Sequence, residues 1–95
     1  MKVLVVDDQR SMRMISVSVA ASLGHETIEA VCGQDAIDIC SREHIDLILM
    51  DVEMPGLNGF EATKIIRAQT ETWFPIIFVS AKTDPKFFAE GIHSG

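Results

Sequence analysis

The segment "LILMDVEMPGLNG" (residues 47–59) carries the pattern that decides the fold. Four apolar residues lead directly into Asp51, and Glu53 and a Pro55-Gly56 turn follow. A short, continuously apolar run is typical of a strand that is buried on both faces of a parallel sheet. The segment therefore predicts a buried strand that presents a carboxylate at its end, with a second acidic residue close behind.

Three further segments have the character of strands. The runs "VLVV" (3–6) and "IIFV" (76–79) are also short and continuously apolar, which again predicts strands buried on both faces. The run "ETIEA" (26–30) alternates charged residues with small or apolar ones, as expected of a half-exposed edge strand.

Helical periodicity separates these strands. Positions 9–23 predict a first helix that ends at Gly24, and its apolar residues on one stripe are Met12, Ile15, Val19 and Leu23. Positions 34–43 predict a second helix, with Ala36, Ile37 and Cys40 on one face.

Two more helices begin at recognisable capping residues. Asn58 is suited to cap a third helix, whose inward residues are predicted to be Phe60, Thr63 and Ile66. Asp84, followed by Pro85, predicts the start of a fourth. Alternation of strands and helices specifies an α/β fold with a parallel sheet and helices on both faces.

Composition excludes several classes of function. The net charge of −6 and the pI near 4.8 argue against direct nucleic-acid binding. No apolar run approaches the roughly 20 residues that span a bilayer, and the start "MKVLVVDD" does not resemble a signal peptide. Cys32 and Cys40 form no CxxC motif, so we expect reduced thiols in a cytoplasmic protein without membrane contact.

Acidic residues stand where two of the buried strands end. Asp7 and Asp8 end the first strand, Asp51 ends the third, and the hydroxyl residue Ser80 ends the fourth. In an open parallel sheet, ligands bind in the crevice outside the carboxyl ends of the strands. If the first and third strands are neighbours, the three carboxylates converge, and a hard cation such as Mg²⁺ would offset their repulsion. The alternative is local: Asp8 caps the first helix, and Asp51 satisfies the turn before Pro55.

The segments "VLVVDDQRSMR", "LILMDVEMPGLNG" and "PIIFVSAK", in this order and spacing, resemble a response-regulator receiver domain, the phosphoacceptor module of two-component signalling. The resemblance implies a flavodoxin-like, doubly wound parallel sheet of strand order 2-1-3-4, with residues 1–95 forming one receiver domain. It also implies that Asp51 accepts a phosphoryl group. Asp7, Asp8, Asp51 and the main-chain carbonyl of Glu53 would bind Mg²⁺.

The same resemblance assigns roles to the residues after the fourth strand. Ser80 matches the hydroxyl residue that hydrogen-bonds the phosphoryl oxygens, and Ala81 matches the small residue that leaves room for the phosphoryl group. Glu53 and Lys82 match positions that flank the path of a hydrolytic water. One hypothesis is that this pair slows dephosphorylation, and the alternative is that both are solvated charges without a kinetic effect.

The sequence departs from the family at its carboxyl end. Receivers have a fifth strand and a fifth helix, and with them a lysine that pairs with the phosphoryl group and a switch aromatic. This chain lacks both elements, so we expect a C-terminally incomplete receiver with "IIFV" as an edge strand. Such a chain should be unstable alone, and would either form a homodimer or be a fragment of a longer protein. The fragment is the favoured interpretation.

Three functions are compatible with these residues. The first is a Mg²⁺-dependent phosphoryl-accepting switch that takes its phosphoryl group from a sensor histidine kinase or phosphotransfer protein and relays the signal to an output domain or partner. Such a switch modifies itself once and is not a multiple-turnover enzyme. The second is an interaction module that cannot be phosphorylated, and the third is a small Mg²⁺-dependent phosphohydrolase.

Overall fold

The computed structural model describes residues 1–79, and the predicted fourth helix at Asp84 lies outside this range. Seven elements follow one another in the described chain. They are β1 (Lys2–Val6), α1 (Arg10–Ser22), β2 (Glu26–Ala30), α2 (Gly33–Arg42), β3 (Leu47–Asp51), α3 (Gly59–Gln69) and β4 (Ile76–Val79). The four strands lie where the sequence patterns predicted them, to within one residue. The prediction that β4 is buried on both faces is wrong for the described residues, because Ile77 is 50% exposed and Val79 is 36% exposed.

The strands form one parallel sheet in the order β2-β1-β3-β4, which confirms the predicted topology. The central strands β1 and β3 pair so that Val6 lies beside Met50. Since all strands run in one direction, Asp7 and Asp51 follow these partners at the same edge of the sheet. In the described part of the chain, β2 is an edge strand, as its alternating pattern predicted.

The larger core lies between the sheet and the helices α2 and α3. Leu4, Ile48 and Met50 are fully buried on this face of the sheet, and Ile66 of α3 is fully buried against it. Complete burial of side chains of this size contributes about 1.5–3 kcal/mol each. The predicted inward residues of α3 (Phe60, Thr63 and Ile66) are all buried, so that prediction is confirmed.

Helix α1 covers the other face of the sheet with only part of its apolar surface. Ala20 is buried and Val17 packs beside it against Val3 and Val5 of β1. The apolar stripe identified in the sequence is instead exposed, at 39% for Met12, 58% for Ile15, 55% for Val19 and 70% for Leu23. Periodicity correctly groups these residues on one side of the helix, but that side is not the one that contacts β1.

Local signals explain where two helices begin and end. Gly24 follows α1 with φ of 86°, a left-handed conformation in which glycine carries no steric penalty. The Asn58 side chain accepts a hydrogen bond from the Glu61 amide (2.9 Å), and the Glu61 carboxylate accepts one from the Asn58 amide (3.0 Å). This reciprocal capping box fixes the start of α3 directly after the loop that follows β3.

Candidate functional site

Three carboxylates meet at the carboxyl edge of the sheet. Asp7 and Asp8 follow β1, Asp51 ends β3, and one carboxylate oxygen from each lies within 4.8 Å of the others. Asp7 is buried, Asp51 is half-buried and Asp8 is exposed. The structure therefore brings together the three acidic residues that the sequence analysis placed at one site, because β1 and β3 are neighbours.

The main chain and side chain of Asp7 are held by three hydrogen bonds. Its amide donates to the carbonyl of Ala30 (3.1 Å), which extends the pairing of β1 with β2. Its carboxylate accepts a hydrogen bond from the Gln9 amide (2.9 Å), and its carbonyl accepts one from Nη1 of Arg13 (2.9 Å). These three hydrogen bonds hold Asp7 in a defined orientation. The residue is only 9% exposed, so its carboxylate is held in a largely buried position.

Asp51 is positioned by the rigid strand β3 and by the close approach of α3. The Gly59 amide donates to the carbonyl of Val52 (2.9 Å), which draws the first residue of α3 against the end of β3. A Cβ atom on Gly59 would collide with the Asp51 carbonyl oxygen and would lie 3.0 Å from Cα of Val52. Glycine is therefore the residue that allows the two segments to come this close.

The electrostatics of the site disfavour three bare carboxylates. The pKa of Asp51 is raised from 3.8 to about 6, mainly by burial and next by the negative charge of Asp7. A hydrogen bond with the Asp8 side chain and the charge of Asp8 raise this pKa further, and a hydrogen bond from the Glu53 amide opposes the change. A proton or a cation bound at Asp51 would relieve this repulsion.

The donor set suits Mg²⁺. Carboxylate oxygens are hard ligands, which this ion prefers, and it commonly binds proteins through one or two carboxylates while retaining several waters. An arrangement with one buried, one half-buried and one exposed carboxylate leaves room for such waters. The site therefore fits a magnesium ion better than a softer metal, which would require thiolate or imidazole ligands.

The local alternatives for these aspartates are only partly realised. The N-cap of α1 is Gln9, whose side chain forms no capping hydrogen bond, so Asp8 does not cap this helix. Asp51 does accept a hydrogen bond from the amide of Glu53, as a turn would require, but it also lies within reach of Asp7 and Asp8. The turn therefore forms part of the acidic site.

The positions of the remaining predicted site residues are only partly described by the structure. Ser80, Ala81 and Lys82 lie outside the described residues, so their roles stay predictions. The side chain of Glu53 is exposed, and the role of its carbonyl as a metal ligand also stays a prediction.

Sequence reasoning missed two residues that shape the site, Arg13 and Gly59. An arginine six positions after Asp7, on the first turn of a helix, was an available signal for the first. For Gly59, the sequence offered no signal other than a glycine at the start of a predicted helix.

Comparison with known proteins places this site in context. A family model for the response regulator receiver domain matches residues 3–95. Protein PilH of Pseudomonas aeruginosa is 35% identical over 82 residues, which cover 85% of this chain and 68% of PilH. The CAI-1 autoinducer sensor kinase/phosphatase CqsS of Vibrio cholerae is 36% identical over 90 residues, but these cover 93% of this chain and only 13% of CqsS.

Solved structures give the same result for the fold. The chemotaxis protein CheY4 of Vibrio cholerae aligns with a TM-score of 0.91 and 34% identity, over 99% of this chain and 79% of that chain. Within residues 1–79, no helix combines the length and the apolar character that crossing a membrane requires.

Proposed function

This chain belongs to the response-regulator receiver domains of two-component signalling, and we propose that it is a Mg²⁺-dependent switch that is phosphorylated on Asp51. The phosphoryl group would come from a phosphohistidine of a sensor histidine kinase or phosphotransfer protein. The observation that supports this most directly is the group of three carboxylates within 4.8 Å of one another, with Asp51 at the end of a central strand.

The roles of the three aspartates follow from their positions. Asp7 and Asp8 would hold the ion together with Asp51 and the carbonyl of Glu53, and Asp51 also supplies the nucleophilic oxygen. When bound, Mg²⁺ supplies positive charge that offsets the negative charge of the phosphoryl oxygens. The half-buried position of Asp51 restricts its carboxylate to a few orientations, which favours attack along one line.

The transfer step is a displacement at phosphorus. One carboxylate oxygen of Asp51 forms a bond to the phosphorus atom, and the phosphorus–nitrogen bond of the phosphohistidine breaks. The electron pair of that bond returns to the imidazole nitrogen, which then takes a proton from solvent. Asp51 must be ionised to act, and because its pKa is about 6, the ionised form predominates at neutral pH without the ion.

Residues beyond β4 would complete the switch. Ser80 would donate a hydrogen bond to a phosphoryl oxygen and move toward it, and Ala81 would leave space for the group. Phosphorylation adds roughly 1.5 to 2 negative charges and new acceptor oxygens, which is enough to reposition a neighbouring loop. An output domain or partner would read that change, in a cytoplasmic protein whose receiver unit spans residues 1–95.

Glu53 and Lys82 would modulate the lifetime of the phosphorylated state. The exposed side chain of Glu53 follows Asp51 by two residues, and Lys82 follows Ser80 by two. An ion pair between them would cover the acyl phosphate and slow the attack of water. The double charge exchange Glu53→Lys with Lys82→Glu tests this. An unchanged dephosphorylation rate, together with unchanged rates in both single variants, would remove the pair from the mechanism.

Intact-mass spectrometry tests the proposed function directly. The 95-residue chain is incubated with acetyl phosphate and Mg²⁺, and the matched control is Asp51→Asn, which keeps the side-chain shape but removes the nucleophile. One added phosphoryl group, absent in the control and after chelation of Mg²⁺, supports the switch. Repeated turnover of a phosphate ester would favour a phosphohydrolase, and a folded chain that gains no mass would favour an interaction module.

A further inference from the structure

The side chain of Arg13 connects the acidic site to the edge strand β2. Its Nη1 donates a hydrogen bond to the carbonyl of Asp7 (2.9 Å), and its Nε donates to Oε1 of Glu29 (2.9 Å). The Arg13 side chain is only 13% exposed, whereas that of Glu29 is 50% exposed. The guanidinium group therefore donates two charge-assisted hydrogen bonds, one to a carboxylate and one to a carbonyl, and the side chain is largely buried. These contacts hold Arg13 in one geometry.

The main chain of Asp7 is connected to strand β2 in two ways. The amide of Asp7 donates to the carbonyl of Ala30, and Glu29 is the residue directly before Ala30 in β2. Both polar groups of the Asp7 main chain are therefore fixed from the same strand, one directly and one through Arg13.

The carbonyl that Arg13 holds belongs to the peptide unit between Asp7 and Asp8. Because a peptide unit is planar, fixing the direction of its carbonyl also fixes the direction in which the chain enters Asp8. The Asp7 carboxylate is held separately, by the Gln9 amide (2.9 Å). The hydrogen bond from Arg13 thus fixes the peptide unit from which Asp8, with its exposed carboxylate, extends.

We propose that Arg13, anchored by Glu29, is a positioning residue for the metal site: it holds the Asp7–Asp8 peptide in the orientation in which both carboxylates bind Mg²⁺. This inference rests on the proposed function and deepens it. Arginine is required because its planar fork reaches two acceptors at once, whereas a lysine has a single nitrogen that cannot occupy both places.

The sign of the effect separates positioning from simple electrostatics. A positive side chain near the site repels Mg²⁺, so removal of its charge alone would strengthen metal binding or leave it unchanged. Removal of a positioning contact has the opposite effect, because mutation of a residue that orients a metal ligand typically weakens metal binding by about 10- to 100-fold. Arg10 is an exposed arginine at the start of the same helix and provides a matched control for charge.

Isothermal titration with Mg²⁺ on the 95-residue chain provides the test. Arg13→Gln should weaken Mg²⁺ binding about 10-fold, and Arg13→Lys should fail to restore it although the charge is kept. Glu29→Gln should weaken binding less, and adding it to Arg13→Gln should cause no further loss. Arg10→Gln should bind Mg²⁺ as tightly as the unmodified chain, or more tightly. Thermal unfolding of each variant establishes that the comparison is made on folded protein.

Each result supports or overturns the inference. Unchanged or tighter Mg²⁺ binding in Arg13→Gln, or a variant that loses only melting temperature, overturns it. Full recovery in Arg13→Lys does so as well, since charge alone would then suffice. If Arg13→Gln does not fold, Glu29→Gln decides, because Glu29 is an exposed residue of an edge strand. If the unmodified chain does not bind Mg²⁺, or if Asp8→Asn binds it equally well, the proposed function fails and this inference fails with it.

Discussion

Asp51→Asn should stabilise the metal-free chain at neutral pH, because the fold disfavours the ionised carboxylate that this variant removes. The pKa of Asp51 is about 6 in the folded chain and 3.8 for an ordinary aspartate. Between these values the folded chain binds more protons than the unfolded chain, so the free energy of unfolding falls as the pH rises. Above pH 6 the loss is complete, and below about pH 4 it is absent.

The magnitude follows from the same two values. One unit of pKa corresponds to about 1.36 kcal/mol, so the full difference would destabilise the ionised form by about 3 kcal/mol. Asp51 is only partly buried, and because solvent screens such charges, we expect about 1 kcal/mol. For a domain of this size, 1 kcal/mol changes the melting temperature by about 4–8 °C.

Thermal unfolding followed by circular dichroism, in chelator and at several pH values from 4 to 8, measures this difference. Asp51→Asn should melt with the unmodified chain near pH 4 and several degrees above it near pH 7.5. Asp46 offers a control of opposite sign, since a hydrogen bond from the Lys2 amide lowers its pKa. Asp46→Asn should therefore destabilise the chain at neutral pH, and its effect should fade in acid.

Two outcomes would refute this reasoning. The first is a difference between Asp51→Asn and the unmodified chain that does not change with pH, and the second is a variant that is less stable at pH 7.5. Mg²⁺ adds an independent comparison. An ion at 100 times its dissociation constant stabilises the folded state by about 2.7 kcal/mol. The unmodified chain should gain this stability, whereas Asp51→Asn, which lacks one of the three carboxylates, should gain less.

Three further variants test the packing that positions the site, with urea unfolding as the measurement. Gly59→Ala should destabilise the chain by about 1–3 kcal/mol, because its Cβ meets the carbonyl of Asp51; unchanged stability would show that α3 is free to move away from β3. Asn58→Ala should cost about 1 kcal/mol through loss of the capping box, and an equal loss in Asn58→Ser would contradict that cause. Thr63→Val should stabilise by about 1 kcal/mol, since the buried Thr63 hydroxyl finds no partner among the described residues; a loss of stability would mean that this hydroxyl is hydrogen-bonded.

Sequence reasoning identified the strands from local signals, and it identified the acidic site from those strands together with the expectation that β1 and β3 are neighbours. A strand that is covered on two faces is apolar at every position, so the runs at 3–6, 47–50 and 76–79 are recognisable as strands by themselves. The run at 3–6 is buried as predicted, whereas Ile77 and Val79 in the run at 76–79 are exposed. The convergence of Asp7, Asp8 and Asp51 then follows from the pairing of β1 with β3, since parallel strands end at one edge.

The sequence did not predict which face of α1 packs against the sheet. Helical periodicity groups residues on faces but does not indicate what each face contacts. Arg13 pairs with Glu29 on the β2 side of α1, and Met12 and Val19 lie on the flank away from that contact. An arginine near the start of an amphipathic helix ordinarily belongs to the solvent side. Here the Arg13 side chain is only 13% exposed and forms an ion pair with Glu29, a residue that is adjacent only in the folded chain.

The acidic site is held against its own repulsion, and this determines how it responds to ligands. Asp7 is fixed by the β1–β2 pairing and by Arg13, while Asp51 is fixed by β3 and by the contact with Gly59. Because the main chains of both residues are held in place, binding of a ligand between the carboxylates is a direct way to lower their electrostatic energy. A proton does this in acid, as the raised pKa of Asp51 indicates, and a divalent cation would do so at neutral pH. The two should therefore compete, and Mg²⁺ binding should weaken as the pH falls through about 6 in the unmodified chain but remain nearly constant there in Asp51→Asn. Affinity that falls equally in both would assign the pH dependence to another group.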